Sequence, residues 1–396
     1  MKKVLIIGAG FLQSFVIQKA KSIGYETLAV DGNPEAPGFV YADKHATINI
    51  VDQEECLKYA RQEKIDGVLT AATDYGVLTA AYIAKEMGLR GLNYEVAKLI
   101  KNKYLVRRRL FEAKVDDTEQ AYEIDEKTDI ASVVSKITFP VMVKPCDGSG
   151  SRGATRVDSA LEFADACSNA ISCSLSKRAE VETFVIGREY GAETLVIDGI
   201  PHVLAIMQKR MTDPPYYAEL GHALPSGLRP EIETRAIKCV ETAIKALGIN
   251  TGSVNMDMII TPEGKIHIID VGARMGGNLI GSHIIPYGTG IDYMECMIRN
   301  AVGDYCVPLI SAQRSAVATR LLAFSNGNVT RLPDFEAISA KNSVEIYHHM
   351  AVGQEIKEYH TNADGCGYIV ARGNSIPEAE ENAEFALSVI KSIIFS

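Results

Sequence analysis

Short apolar runs alternating with helically spaced stretches open the chain. Residues 4–7 (VLII), 27–30 (TLAV) and 67–70 (GVLT) are buried-strand patterns, and residues 11–23 between the first two carry helical spacing. Strand and helix in alternation predict a parallel sheet with helices on its faces. Residues 98–111 (KLIKNKYLVRRRLF) read as one basic helix leaving this lobe, with a solvated charged face as its default reading. A charged, poorly periodic connection, 113–128, leads to a strand at 139–145 that carries Lys144 near its end. An amphipathic helix at 158–176 follows. Residues 179–191 read as strand, glycine turn and strand, continued by an antiparallel meander over 192–197 and 202–207. Residues 216–228 have the Gly/Pro content of a loop. Residues 230–247 form a helix with Ile232, Ala236, Val240, Ala243, Ile244 and Leu247 on one face and Gly248 as its stop. A hairpin, a helix over 290–302 and a small α+β tail from 311 (strands 316–323 and 367–371, helix 377–393) complete the chain.

At 396 residues the chain is long for one core, and three units follow: 1–100, 101–310 (dividing near 188) and 311–396. The predicted class is multidomain, α/β at the N-terminus and α+β beyond it. A net charge of -9 without a long basic run argues against nucleic acid as a partner, and no segment reaches membrane-span length. Eight scattered cysteines without zinc spacing read as reduced thiols, which points to a cytoplasmic protein.

Chemistry concentrates in four places. In the hairpin, a turn centred on Glu263 and Gly264 sets Asp257 opposite Asp270. Two carboxylates roughly 5 Å apart repel by on the order of 3 kcal/mol at an effective dielectric near 20, so a cation belongs between them, a hard divalent ion first and Arg274 second. The run Gly148, Ser149, Gly150, Ser151, Arg152, Gly153 between two strands offers backbone N–H and hydroxyl donors for phosphate, without the Gly-Lys-Ser/Thr ending of a P-loop. In the first lobe Gly8 and Gly10, with Asp31 after the second strand, mimic a dinucleotide fingerprint, but Gln13 stands at the third glycine. Asp74 follows the strand at 67–70, where open parallel sheets present ligands and where a helix N-cap also falls.

Taken in order, a lysine on a basic helix, the VKP strand, the glycine/serine loop, the Glu182-x-Phe184-x-x-Gly187-x-Glu189 turn and the Asp257, Asp270, Arg274 set resemble the ATP-grasp superfamily of carboxylate-amine and carboxylate-thiol ligases. The resemblance covers nearly the whole chain and implies a Rossmann-like lobe, two lobes holding ATP, and a C-terminal lobe. It implies that Lys103 and Lys144 hold the α- and β-phosphates under the lid 148–153. It assigns the adenine to Glu182, Thr183, Phe184 and Val185, and the ribose to Glu189. Asp257 and Asp270 become ligands of Mg2+ or Mn2+, and Arg274 steadies the transferred phosphoryl group. One departure matters: Gly272 occupies the position of the usual third metal ligand, an asparagine, and Asn278 is the candidate replacement.

The implied reaction is ADP-forming ligation through an acyl phosphate, on small-molecule carboxylate and amine substrates, by a homodimer. Glu219, His222, Pro225 and Ser226 with the stretch 269–277 resemble the dipeptide-forming amino-acid ligases, so Glu219, His222, Ser226, Arg274 and Asn278 are substrate candidates. The turn at Asp31, Asn33 and Pro34 resembles the purine-pathway and carbamoyl-phosphate members, which makes a phosphoribosylglycinamide-synthetase-like enzyme the alternative. Two readings of other classes are a nicotinamide oxidoreductase built on Gly8 to Asp31, and an ATP-binding protein without catalysis, motivated by Gly272.

Overall fold

The computed structural model describes all residues except 117–120, 149, 151, 215, 310–314, 396 and the side chain of Asn342. The first apolar runs pair in parallel and the polar, mostly exposed strand Lys44–Thr47 joins them at one edge, in the order Lys44–Thr47, Glu26–Asp31, Lys3–Ile7, Gly67–Thr70. Val4 and Ile6 face a core with Val16, Ile17 and Ala20, while Leu5 and Ile7 pack with Leu57 and Ile83 on the other face. Burial on both faces is why the three strands other than the edge strand Lys44–Thr47 are mainly apolar. Beyond their carboxyl ends, the loop 71–76 turns toward the rest of the molecule: Ala71 makes a parallel bridge with Met275, and the Ala72 N–H donates to Met275 O at 3.0 Å.

The basic segment is two helices rather than one, Tyr94–Ile100 and Lys103–Glu112. Asn102 breaks it, its side chain accepting from Leu105 N at 3.1 Å as the N-cap of the second helix. Nor is its charge all solvated: Arg107 is buried.

Two large antiparallel sheets follow, besides a two-stranded ribbon of Gly327–Asn328 and Glu355–Ile356 in the tail. The smaller has the order Ala121–Asp125, Arg178–Thr183, Val141–Pro145, Thr155–Val157. The larger has eight strands, in the order Ile266–Gly272, Gly252–Ile260, Arg188–Ile197, Ile200–Met211, Glu219–Leu224, Ala316–Leu321, Gly367–Gly373, Val344–His348. The expected meander is therefore divided, its first strand lying in the small sheet and the rest in the large one. Residues 184–187 are the crossing. The stretch read as a loop contains a strand, Glu219–Leu224, because it finds partners in Ile200–Met211 on one side and Ala316–Leu321 on the other. The tail is α+β, as expected, yet three of its strands lengthen the large sheet, joined through Ala223↔Ala318 and Leu224↔Val317. Among the described residues no helix is long and apolar enough to cross a membrane.

Candidate functional site

A cavity of about 1120 Å3 lies between the two sheets, walled by the crossing 184–187, the hairpin, the glycine loop and residues of both terminal lobes. Of the residues singled out from sequence, it gathers Lys103, Lys144, Gly148, Gly150, Arg152, Glu182, Thr183, Phe184, Val185, Glu189, Glu219, His222, Asp257, Asp270, Arg274 and Asn278. Ser149 and Ser151 lie outside the described residues. Ser226 is buried but is not part of the wall: its hydroxyl donates to Glu233 Oε1 at 3.1 Å and accepts from Leu228 N at 3.1 Å, tying down the entry to helix Pro230–Leu247.

The hairpin does set Asp257 opposite Asp270, by a different route from the one inferred. Next to the turn the pairs are Ile260↔Ile266 and Met258↔Ile268, one residue out of the predicted register. A bulge at Ile269 then restores it. The bulge frees the Ile269 carbonyl, which accepts from Lys144 Nζ at 2.9 Å. Both acids meet ammonium groups: Lys103 Nζ pairs with Asp270 Oδ1, and Lys209 Nζ lies 2.9 Å from Asp257 Oδ2. Enclosure by protein would raise the Asp270 carboxyl, but Lys103 and Lys144 outweigh it and hold it at about 2.

Lys144 spans the small sheet and the hairpin. Its Nζ lies 2.5 Å from Glu182 Oε1 and 3.5 Å from Glu180 Oε2, while Arg107 Nε donates to Glu182 Oε2 at 3.0 Å. Burial alone would raise both acids. The two cations keep Glu182 ionised, below its ordinary value, whereas Glu180, buried beside that charge, is pushed up to about 7. Arg107 also bonds Asp116 and the Ile268 carbonyl, fixing the basic helix to the hairpin. At the crossing, Phe184 N donates to Pro140 O at 3.1 Å and the Arg156 guanidinium lies 4.6 Å from the Phe184 ring centre.

Beyond Asp257 the wall carries a second polar cluster. Lys209 Nζ lies 3.3 Å from Glu219 Oε2 and 3.8 Å from Glu189 Oε2, and His222 Nδ1 is 3.2 Å from Glu219 Oε1. Asn278 Nδ2 donates to Glu219 Oε1, so this side chain is engaged with Glu219 rather than with Asp257 or Asp270. Burial works to raise Glu219, but His222 and Lys209 more than offset it and keep it below the usual glutamate value. Burial lowers His222, which favours its neutral form. Glu189 is raised to about 7 by burial, with Lys209 opposing and Asp257 and Glu219 adding to the rise. Sequence reasoning passed over Lys209 and the tail's contribution: the Tyr359 hydroxyl donates to the Glu219 carbonyl, and Glu219 N donates to Asn362 Oδ1 at 3.3 Å. Asn362 and Tyr368 line the cavity.

In the glycine loop, Gly150 and Gly153 hold φ of 65° and 76°. A Cβ at Gly153 would lie 2.8 Å from Cys173 Cβ and 3.1 Å from Pro145 Cγ, so the position is restricted both by conformation and by space. Arg152 Nη2 donates to the Tyr75 hydroxyl at 3.0 Å, bringing the loop onto the N-terminal lobe.

The glycine turn of that lobe is filled by the lobe's own polar groups. Gln13 is buried over it, donating through Nε2 to Ala71 O at 2.6 Å, and a Cβ at Gly10 would meet Gln13 Oε1 at 2.8 Å. Asp31 is used internally, accepting from Ala9 N at 2.8 Å and Asn33 N at 2.9 Å. Asp74 is not the N-cap of helix Val77–Met87; Gly76 is. Its carboxylate pairs instead with Arg274, Oδ1 lying 3.0 Å from Nε.

For a divalent cation the chemistry of the donor set fits. Two carboxylates face each other across the hairpin, with further carboxylates in the same wall, and Mg2+ characteristically takes one or two carboxylates plus phosphate oxygens and waters. Among the described residues no group of three His, Cys, Asp or Glu forms an all-protein cage.

Comparison with known proteins places this cavity in a family context. Residues 137–282 match the ATP-grasp domain, and residues 320–394 match the L-amino acid ligase C-terminal domain 2. The uncharacterized protein y4rH of Sinorhizobium fredii is 26% identical over 341 residues, covering 84% of this chain and 70% of its own length. Two crystal structures superpose along nearly the full length. The L-amino acid ligase from Bacillus licheniformis gives a TM-score of 0.83 at 23% identity, covering 98% of each chain. The phosphoribosylglycinamide synthetase from Anaerococcus prevotii gives 0.77 at 23% identity, covering 99% of this chain and 98% of its own. At these identities the two structural likenesses are likenesses of fold.

Proposed function

Because the chain belongs to the ATP-grasp superfamily, we propose that it is an ADP-forming ligase that joins an amino acid or small carboxylic acid to an amine through an acyl phosphate. The observation that carries the amino-acid reading is the charge pattern of the cavity wall. Glu219, held ionised among Lys209, His222 and Asn278, and the Arg274 guanidinium, paired with Asp74, line the same cavity, so the wall carries an acid suited to an ammonium group and a cation suited to a carboxylate. The match of residues 320–394 to the L-amino acid ligase C-terminal domain 2 supports the same reading, since Asn362 and Tyr368 in that stretch reach the cavity.

ATP carries about four negative charges, and this acidic chain meets them with cations concentrated at one place. Lys103 and Lys144, each on a rigid element, neutralise the α- and β-phosphates. Residues 182–185 take the adenine at the crossing between sheets, with main-chain groups reading the ring edge because both Glu182 oxygens already accept charged donors. Glu189 accepts from the ribose. Asp257 and Asp270 would hold Mg2+ or Mn2+, which supplies charge neutralisation to the phosphates when bound. The glycine loop closes over the β- and γ-phosphates and shuts water out, a need set by the hydrolysable acyl phosphate. The substrate carboxylate attacks the γ-phosphorus and ADP departs. An amine then attacks the acyl carbon and forms the C–N bond, Arg274 holds the oxyanion that develops, and the intermediate collapses to the amide as phosphate leaves with the proton the amine gives up.

The test is ADP release over a matrix of amino-acid pairs, with phosphoribosylamine plus glycine as a separate arm. The reading expects ADP release that requires both a carboxylate and an amine and gives a dipeptide or amide. Turnover confined to the phosphoribosylamine arm would replace it with the synthetase alternative, and tight ATP binding without turnover in any arm would reduce the protein to a nucleotide binder.

A further inference from the structure

Two residues past Asp270 the chain has Gly272 where the resemblance expects an asparagine. A Cβ there would lie 3.1 Å from Arg274 Cζ, 3.1 Å from Asp74 Oδ1 and 3.3 Å from Arg274 Nη1. The space beside residue 272 is thus taken by an ion pair whose members are 200 residues apart in sequence. Arg274 Nη2 donates to Asp74 Oδ2 at 3.2 Å, and Nε lies within ion-pair distance of Oδ1 at 3.0 Å without completing a second hydrogen bond. On its other side Nη1 donates at 3.4 Å to Oδ1 of Asn255, the cross-strand partner of Gly272.

Asp74 is itself well held. The Ala71 bridge to Met275, the Ala72 N–H bond to Met275 O and the Gln13 bond to Ala71 O fasten its loop to the segment that follows the hairpin. With Gly76 as the N-cap of the next helix, the Asp74 carboxylate is free for another partner, and Arg274 is that partner.

We propose that Asp74 is a positioning residue that aims the Arg274 guanidinium at the reacting phosphoryl group, and that Gly272 is present because a side chain there would displace this pair. The N-terminal lobe thereby orients a group of the ATP-binding lobes. The inference rests on the ligase reading for what Arg274 does, but not for where Arg274 sits.

Misplacing a catalytic group by about 1 Å costs on the order of 100-fold in rate. Asp74→Ala is therefore expected to lower kcat about 100-fold while leaving KM for ATP and the affinity for a fluorescent ATP analogue within about twofold, a split that general destabilisation would not produce. Asp74→Glu restores part of the loss. Gly272→Ala, whose Cβ would press the pair by a few tenths of an ångström with both charges intact, lowers kcat in the same direction by a smaller factor, and the double variant Asp74→Ala/Gly272→Ala falls little further than the worse single, because both act through one guanidinium. A kcat for Asp74→Ala within about twofold of wild type, or full multiplication of the two single effects, overturns the proposal. A crystal structure of Asp74→Ala reads the placement without turnover: Arg274 is expected to move, and an unmoved guanidinium contradicts the inference. Failure of the wild-type protein to ligate any pair would count against the ligase reading alone.

Discussion

Replacing Lys209 with methionine isolates the electrostatics of the cavity's polar cluster, because methionine keeps the four-atom apolar stem while removing the terminal ammonium. The Lys209 side chain is 4% exposed, and its ammonium lies 2.9, 3.3 and 3.8 Å from Asp257, Glu219 and Glu189. At an effective dielectric of about 20 each contact is worth on the order of 5 kcal/mol, most of it offset by desolvation. Breaking a buried pair by removing one partner has a net cost of about 3–5 kcal/mol, since the remaining charges stay buried. For a chain of this length, with an unfolding entropy near 2.1 cal/mol/K per residue, the melting temperature should fall by about 4–6 °C. The pH dependence follows from Glu189, which already stands at about 7 and would rise further without the lysine. A carboxyl whose folded pKa lies above its unfolded value contributes stability that is complete below the unfolded pKa and is lost as pH rises through the folded one. The defect should therefore be larger at about pH 8 than at about pH 5.5. Calorimetric melting of both proteins at the two pH values is the assay. A variant melting within about 1 °C of wild type at the higher pH, or an equal loss at both, would refute this account of the cluster.

Three further outcomes follow from the same geometry. Asp257→Asn should abolish turnover and weaken Mg2+-dependent nucleotide binding, measured by titration calorimetry; near-normal turnover would remove Asp257 from the metal assignment. Glu193 is fully buried, accepts from Tyr293 Oη at 2.6 Å and Gly276 N at 3.1 Å, and is raised to about 7 by burial against these bonds. Its ionisation costs stability progressively as pH rises from about 4.5 to about 7, so Glu193→Gln should flatten the melting profile across that window. Gly153→Ala imposes on a left-handed residue a Cβ that would lie 2.8 Å from Cys173 Cβ, and should lower ligation while raising ATP hydrolysis that yields no product, read as the ratio of ADP to amide formed.

Much of this site was legible in the sequence because its signals are local. Acids on both arms of a hairpin, a lysine ending a strand and a glycine-rich connection each follow from a few neighbouring residues. The Asp257–Asp270 pairing follows from the predicted turn even though the ladder beside that turn is one residue out of register, since the bulge at Ile269 compensates. Lys209 was missed although alternation carried a signal: Ala205, Met207 and Lys209 share one face of their strand, and all three are buried. A lysine on an apolar face should have prompted a search for buried acids. Arg107 reads as solvated from its run of like charges, and its partners Glu182 and Asp116 come from other elements. The strand Glu219–Leu224 and the tail's place in the large sheet depend on pairing between segments nearly 100 residues apart, which periodicity cannot report. Asp74 is the extreme case: its local sequence fits a helix start, and only the tertiary fold sets it on Arg274.

The central claim, activation of a carboxylate by transfer of the γ-phosphoryl group, is tested most directly with an amino-acid substrate labelled with 18O in its carboxylate. Ligation through an acyl phosphate carries one labelled oxygen into the released inorganic phosphate for each amide formed, alongside one ADP. Phosphate free of label, or AMP and pyrophosphate in place of ADP and phosphate, would contradict it.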